Sequence, residues 1–269
     1  MKKLLAGLLS FFIAIAIVEL LARAASVFVH DAEVKEKTED PWYVYSADIG
    51  WERKPGFDNT FGGVRRKFDE EGLFAGDQSK FSDSTKKKIL FVGDSNTFGN
   101  DSPVDAIFPS LVDSLLPDAV SFNLGSPGYS SYQGKILLER MLPKLRPDVV
   151  VISFNFNDRR YVLHPADADS KETFQRNYDL ARRQELIATL EKSYTFRAVR
   201  AAVRMFGVIS EERILPVRVD SLVARVSPEQ YRSNLTAMVI AAQRKEIPVL
   251  FLLLGDNPVQ TEYLQKGVR

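Results

Sequence analysis

Ser95 follows a short apolar strand, at a position where backbone N–H groups would surround a nucleophile. Residues 89–92 form a short apolar run, as expected of a strand buried on both faces, and Gly93-Asp94-Ser95 follows directly. In an open α/β sheet, ligands bind beside the carboxyl ends of the strands, and a serine that opens the next helix lies among backbone N–H groups. The tripeptide is also ordinary turn chemistry, in which Ser95 would be a helix cap. Its meaning therefore depends on which other residues reach the same sheet edge.

Two further strand ends carry residues that would complement a nucleophilic serine. A strand predicted over residues 119–124 leads to Gly128, and another over residues 149–154 leads to Asn157. Because the carboxyl ends of neighbouring parallel strands line one crevice, we expect Ser95, Gly128 and Asn157 to converge. Attack of a hydroxyl on an ester carbonyl needs donors for the oxyanion, and a glycine N–H and an asparagine amide are such donors. The structural alternatives are a turn glycine and a helix cap.

At these three strand ends the chain resembles the SGNH (GDSL-type) hydrolase family. The serine block of that family corresponds to residues 93–99, its glycine block to residues 123–128, and its Gly-x-Asn-Asp block to residues 155–158. The resemblance covers approximately residues 86–256. It implies a serine esterase with the α/β fold of that family.

The resemblance also implies a role for each residue. Ser95 would be the nucleophile, and the oxyanion would be bound by the backbone N–H groups of Ser95 and Gly128 and by the Asn157 side chain. Asn155 departs from the pattern, because it stands where the family has glycine. A side chain in place of the family's glycine would narrow the substrate pocket. The key asparagine of the block, Asn157, is present.

The family's general base is missing from this sequence. Its fourth block, Asp-x-x-His, would follow the strand predicted over residues 249–254, but no histidine occurs there. The chain has two histidines: His30 lies beside the N-terminal apolar segment, and His164 is either a substitute base or an ordinary loop residue. We favour a fragment whose missing block lies beyond Arg269 over a complete but disabled enzyme. In both cases the chain as given should be nearly inactive.

Three more polar residues lie near the predicted crevice. Arg159 directly follows the third block, where it would contact an anionic or polyol substrate or simply be a solvated arginine. Asp256 follows the fourth strand and would line the crevice. Asp94 is interpreted as a residue that shapes the turn before Ser95 rather than as a catalytic acid.

The pattern from residue 86 onward predicts an α/β domain. Strands alternate with helices, which favours a parallel sheet with helices on both faces, and the resemblance implies a three-layer α/β/α domain with a flavodoxin-like sheet. Helices are predicted over residues 108–116, around 136–142 with Pro143 in the turn beyond, and from a Ser227 cap to about residue 246. The hydrolase-type domain would span residues 86–269, with a helical insertion at about 165–215.

The segments before that domain have separate roles. Residues 30–85 are predicted to be an extension that packs on the domain through its aromatic residues, with short strands around residues 59–67. Residues 1–29 are predicted to be a signal anchor and transmembrane helix, because Lys2 and Lys3 precede a long apolar run. A cleaved secretory signal and a buried soluble helix are the alternatives.

Composition excludes several classes of function. The net charge of +1 gives no reason to expect nucleic acid as a partner, and the absence of cysteine rules out disulfides and thiolate metal sites. The charge bias of the N-terminus places the domain outside the cytoplasm, periplasmic or at the cell surface, with the membrane as a partner through the N-terminal helix. Together with this topology, the resemblance implies an esterase, without metal or organic cofactor, that deacylates a glycan, another acylated carbohydrate or an envelope ester. The alternatives are a glycan O-acyltransferase and an inactive binding protein of the same fold.

Overall fold

The computed structural model describes residues 2–26, 41–75, 85–205 and 222–253, and the fold is given for these residues. The strands are β1 (Tyr43–Ser46), β2 (Gly50–Arg53), β3 (Asp58–Phe61), β4 (Val64–Lys67), β5 (Lys87–Gly93), β6 (Ala119–Asn123), β7 (Val149–Ser153), β8 (Tyr161–Val162), β9 (Val223–Ala224) and β10 (Val249–Phe251). The helices are α1 (Lys2–Ser26), α2 (Ser95–Phe98), α3 (Phe108–Leu115), α4 (Ser131–Leu145), α5 (Lys171–Leu190), α6 (Tyr194–Met205) and α7 (Pro228–Gln243).

The chain divides into two compact units, each built from two separate stretches of sequence. The first unit combines Met1–Glu39 with Asp179–Pro216, and the second combines Asp40–Tyr178 with Val217–Arg269. The N-terminal helix therefore shares a unit with part of the helical insertion. The extension before the sheet belongs to the same unit as the sheet itself.

A four-stranded parallel sheet forms the centre of the second unit. Its strand order is β10-β7-β5-β6, which is the flavodoxin-like order because the first strand in sequence lies between the second and the third. Leu90, Val150 and Phe122 are fully buried, as the near-continuous apolar strands predict. Burying each such side chain contributes about 1.5–3 kcal/mol. The predicted α/β fold with a parallel sheet is confirmed.

One helix boundary was predicted wrongly. Helix α4 begins five residues earlier than the predicted helix and continues through Pro143, which had been expected in the following turn. The start is fixed by a capping box in which the Ser130 Oγ accepts from the backbone of Gln133 and the Gln133 side chain accepts from the N–H of Ser130. Pro143 is tolerated because it lies in the last turn, where its missing N–H removes a single helical hydrogen bond. The helix ends at Arg146, which has a left-handed backbone (φ 43°).

The cap predicted for the last helix is present, although its capping box is incomplete. The Ser227 Oγ accepts a hydrogen bond from the Gln230 N–H at 3.1 Å, and Pro228 occupies the first turn. The Gln230 side chain instead donates to the Asp169 carbonyl at 3.3 Å. The cap therefore ties α7 to the loop that precedes α5.

The extension before the sheet consists of two hairpins that pack on the segment following Ser95. β1 pairs with β2 and β3 with β4, both antiparallel. Phe57, Phe68 and Phe74 form a buried aromatic cluster with Phe98, the last residue of α2. Phe81, also expected to pack, lies outside the described residues. The extension thus contributes directly to the surroundings of the candidate nucleophile.

Residues 2–26 form one continuous helix, α1. Among the helices of the described ranges, none combines the length and the apolar composition that crossing a bilayer requires.

Candidate active site

Ser95 opens the short helix α2 at the carboxyl end of β5. Asp94 is the N-cap: its carboxylate accepts from the backbone N–H of Asn96 at 2.9 Å and from the Asn96 side chain at 3.1 Å. Burial raises the pKa of Asp94, and these donors oppose that shift. Gly93 is required before it, because a Cβ there would lie 2.7 Å from the Ser153 carbonyl oxygen. Asp94 therefore shapes the turn that presents Ser95, as its sequence position suggested.

The glycine block lies directly against the serine block. The Ser126 N–H donates to the Gly93 carbonyl at 3.1 Å, and the Asn123 side chain donates to the Thr97 carbonyl at 2.7 Å. Gly125 permits this approach, because a Cβ there would meet the Phe98 nitrogen at 2.4 Å. These contacts hold the loop after β6 beside the first turn of α2.

Asn157 connects the third block to the glycine block. It is buried, and its Nδ2 donates to the Tyr129 carbonyl at 2.9 Å, next to Gly128. An amide nitrogen carries two hydrogens, so the second remains for another acceptor. The structure therefore links Asn157 to the segment that contains Gly128, as the strand-end argument predicted.

Two backbone donors at these loops have no backbone acceptor in the described part of the chain. Neither the N–H of Ser95 nor that of Gly128 donates to a carbonyl there. Ser95 is the first residue of its helix, where N–H groups lack an intrahelical partner. Gly128 has a left-handed backbone (φ 78°), and a Cβ there would lie 3.1 Å from the Trp51 ring. Both N–H groups are therefore left without a backbone acceptor in the described part of the chain.

Arg225, which lies outside the three blocks in sequence, binds the backbone carbonyl of Gly128. Its Nη1 donates to the Gly128 carbonyl at 2.6 Å, its Nη2 to the Gln133 side chain at 2.7 Å, and its Nε to the Asp169 carboxylate at 2.7 Å. The other oxygen of Asp169 accepts from the Ser130 hydroxyl. The guanidinium thereby fixes the orientation of the peptide beside the predicted oxyanion donor.

Replacing Arg225 by methionine is expected to lower the free energy of unfolding by about 3–5 kcal/mol, because the buried Asp169 carboxylate would lose its ion-pair partner. Both side chains are largely buried, so water does not replace the lost contact. Urea denaturation of the wild type and of Arg225→Met measures the difference, and Arg244→Met at an exposed position is the control. Equal midpoints for all three proteins would contradict the assigned network.

Asp158, next to Asn157, is a buried carboxyl group. Its Oδ1 accepts from the Ser131 N–H at 2.9 Å and from the Ser131 hydroxyl at 2.5 Å, while Oδ2 is buried without a partner among the described residues. Desolvation by burial raises the pKa of Asp158 to about 7, against the opposing effect of these hydrogen bonds. Asp158 anchors the start of α4 to the third block.

The raised pKa of Asp158 makes stability depend on pH. In the unfolded chain its pKa is about 3.9, so its contribution to stability is fully present below that value and is lost as pH rises toward 7. Relative to the wild type, the Asp158→Asn variant should therefore become more stable between about pH 5 and pH 8, by about 3 kcal/mol. Urea midpoints at the two pH values measure this gain.

Asp148→Asn is the matched control for that experiment. The backbone N–H of Lys88 lowers the pKa of Asp148, which is therefore ionised throughout this pH range in folded and unfolded chains. Its difference from the wild type should be constant. A gain for Asp158→Asn that does not change with pH would contradict the buried, protonated carboxyl.

Two arginines of the extension hold the loops around Ser95. Arg53 donates to the carbonyls of Asn123 and Gly125 in the glycine block, and Arg66 donates to those of Gly99 and Ser102 after α2. Both guanidinium groups lie against the Phe98 ring, at 5.3 and 5.0 Å from its centroid. Sequence reasoning missed both arginines and Arg225, because a contact with a distant backbone carbonyl leaves no local pattern.

The other predicted residues are less closely tied to the site. His164 is exposed, and within the described ranges no hydrogen bond joins it to Ser95. Arg159 is half-buried, and its Nε has no partner among the described residues. Asn155 is buried, and its side chain likewise lacks a described partner. His30 and Asp256 lie outside the described residues.

Comparisons with known proteins agree with the three-block pattern. The family model described as "GDSL-like Lipase/Acylhydrolase family" matches residues 91–268, a span that includes all three blocks. No curated protein matches the chain at a significant level. Among matching solved structures, AlinE4, an SGNH-hydrolase family esterase, is 16% identical, with 69% of each chain covered and a TM-score of 0.39.

Two further structures match with similar coverage. The lipase/acylhydrolase from Enterococcus faecalis is 17% identical, with 67% of each chain covered and a TM-score of 0.33. The psychrotrophic esterase EstA from Pseudoalteromonas sp., inhibited by monoethylphosphonate, is 14% identical, with 67% of each chain covered and a TM-score of 0.36.

Proposed function

Because this chain belongs to the GDSL-like lipase/acylhydrolase family, we propose that it is a serine esterase that acts through an acyl-enzyme on Ser95. The observation that carries this proposal is the convergence of the three strand-end loops. The Asn157 amide donates to the carbonyl of Tyr129, the residue directly after the glycine block, and the N–H groups of Ser95 and Gly128 have no described backbone acceptor. A nucleophile with three nearby oxyanion donors is the arrangement that acyl transfer requires.

The proposed reaction proceeds in two halves. The Oγ of Ser95 attacks the ester carbonyl carbon while its proton passes to a general base, and the carbonyl oxygen becomes an oxyanion. The Ser95 and Gly128 N–H groups and the Asn157 amide stabilise that charge. Collapse of the intermediate breaks the bond to the alcohol, which takes the proton. Water then attacks acyl-Ser95 by the same steps and releases the carboxylic acid.

The role of general base is assigned to no described residue. His164 is the one histidine within the described ranges, and no hydrogen bond there joins it to Ser95. The family resemblance gives this role to the histidine of an Asp-x-x-His block. The described residues thus supply the proposed nucleophile and the proposed oxyanion donors.

The proposed substrate is an acylated carbohydrate or another ester of the cell envelope. This proposal combines the family's chemistry with the N-terminal charge bias, which favours a domain held by its N-terminal helix outside the cytoplasm. Arg159 is proposed to contact substrate, since its buried Nε has no described partner. Asp256 is proposed to line the same crevice.

Ester turnover by the intact protein, with and without an acceptor oligosaccharide, tests the proposed function. An esterase should release p-nitrophenol and free acetate from p-nitrophenyl acetate, in amounts unaffected by the acceptor. Transfer of the acetyl group to the sugar instead of to water would identify an O-acyltransferase, in which water is excluded from the acyl-enzyme. No p-nitrophenol above the spontaneous rate would overturn the proposal and favour a binding protein.

A further inference from the structure

Apolar side chains are exposed over most of the circumference of α1. They are Leu9, Phe12, Ile13, Ile17, Val18, Leu20 and Leu21. With 3.6 residues per turn, these positions cover about two thirds of the helix circumference rather than one stripe, and Glu19 lies on the remaining side. A surface of this kind favours an apolar medium on several sides of the helix, which a lipid bilayer provides and a single protein partner does not.

The polar end of α1 holds the start of α6. The Glu19 carboxylate accepts from the Ser193 hydroxyl at 2.8 Å and from the backbone N–H groups of Tyr194 and Thr195 at 3.1 and 3.0 Å. These are first-turn N–H groups that lack helical partners, so Glu19 caps α6 from another helix. Arg23 donates to the same carboxylate at 3.1 Å. Helix α6 therefore begins beside Glu19 and Arg23, near the C-terminal end of α1.

Helix α6 is basic and amphipathic. Its 12 residues include three arginines and no acidic residue. Arg197 and Val199 are both exposed, and Phe196 lies three residues before Val199 on the same side of the helix. Arg200 is paired with Glu191, which precedes the helix, and Arg197 lies over the Tyr194 ring. An exposed apolar position on a helix that carries several arginines is typical of helices that lie in a membrane interface.

We propose that α6 is an interfacial helix that docks on an anionic phospholipid bilayer. The apolar surface of α1 enters the lipid, and Glu19 places the start of α6 beside the C-terminal end of that surface, which extends to Leu21. From there Arg197 contacts the phosphate groups, while Val199 contacts the upper acyl chains. Charge complementarity selects anionic lipid as the occupant. The proposal does not depend on the chemistry of Ser95.

The absence of cysteine from the chain allows a single-probe experiment. Val199→Cys in the full chain, labelled with an environment-sensitive dye, should brighten and shift to the blue on phosphatidylcholine vesicles that contain about a quarter phosphatidylglycerol. Leu115→Cys, at a 76% exposed position in the second unit, is the matched control and should stay unchanged. Val199 is 56% exposed, so the label does not need to displace a core contact.

Changing the charge of the lipid or of α6 distinguishes docking by α6 from anchoring by α1. Each basic residue near an anionic surface contributes a roughly fivefold factor to binding, so Arg197→Gln should weaken the vesicle binding reported by the dye at position 199 about fivefold. Inorganic phosphate without vesicles should not change the fluorescence of the dye. This control distinguishes binding to lipid headgroups from binding of free phosphate. An equal response on pure phosphatidylcholine, or none on either vesicle, would overturn the proposal even if the protein floats with the vesicles.

Discussion

Ester turnover by the intact protein is expected to fall by about 10⁶-fold when Ser95 is replaced by alanine, as for the nucleophile of another serine hydrolase. The Oγ of Ser95 forms the bond to the acyl group, and no neighbouring residue can supply that atom from the same position. The Asp94 cap and the backbone of α2 do not depend on the hydroxyl, so the variant should fold normally. Initial rates with p-nitrophenyl acetate measure the change.

Ser114→Ala is the control for this measurement, because Ser114 is an exposed residue of α3 and takes no part in the three blocks. Its rate should equal that of the wild type. If Ser95→Ala retains wild-type turnover while both variants have unchanged urea midpoints, Ser95 is not the nucleophile.

The second large effect is expected at Asn157. Its replacement by alanine removes one oxyanion donor and should lower kcat about 10²- to 10³-fold, with a smaller change in KM, since the donor acts on charge that develops in the transition state. The variant also loses the hydrogen bond to the Tyr129 carbonyl, so its stability must be measured in parallel. Steady-state kinetics with one activated ester separates kcat from KM.

Asn155→Gly provides a matched control in the same loop. Asn155 is as buried as Asn157, but its side chain has no described partner, and glycine restores the residue of the family pattern. We expect its kcat to stay close to that of the wild type. A large loss in Asn155→Gly with none in Asn157→Ala would transfer the oxyanion role from Asn157 to Asn155.

Local sequence patterns made the parallel sheet and the convergence of its loops predictable. Apolar runs of buried strands end at the polar residues of Gly93-Asp94-Ser95 and of the third block, so both the parallel sheet and the convergence of its loops could be inferred. The cap at Ser227 was equally readable, because a serine followed by proline favours one local geometry. Helix α4 was harder to delimit, since a proline in a last turn resembles one that ends a helix.

The supporting arginines were not predictable for a different reason. Arg53, Arg66 and Arg225 donate to backbone carbonyls that are 70, 33 and 97 residues away in the chain. Because every residue has a backbone carbonyl, the residue types in the sequence do not indicate which carbonyl accepts a hydrogen bond from a distant arginine. The pKa of Asp158 has a similar origin, because its burial arises from α4 and the third block packing together. These features depend on tertiary contacts and required the structure.

Covalent labelling of Ser95 by a fluorophosphonate tests the central claim most directly. Attack by the Oγ of Ser95 forms a bond to phosphorus, expels fluoride and releases the hydroxyl proton, so each active molecule should gain one adduct. Peptide mass spectrometry of the intact protein should place that adduct on Ser95, and Asn157→Ala should slow its formation because the phosphonyl oxygen uses the same donors. An adduct on another residue, or none on Ser95 in a folded protein that still turns over esters, would contradict the account.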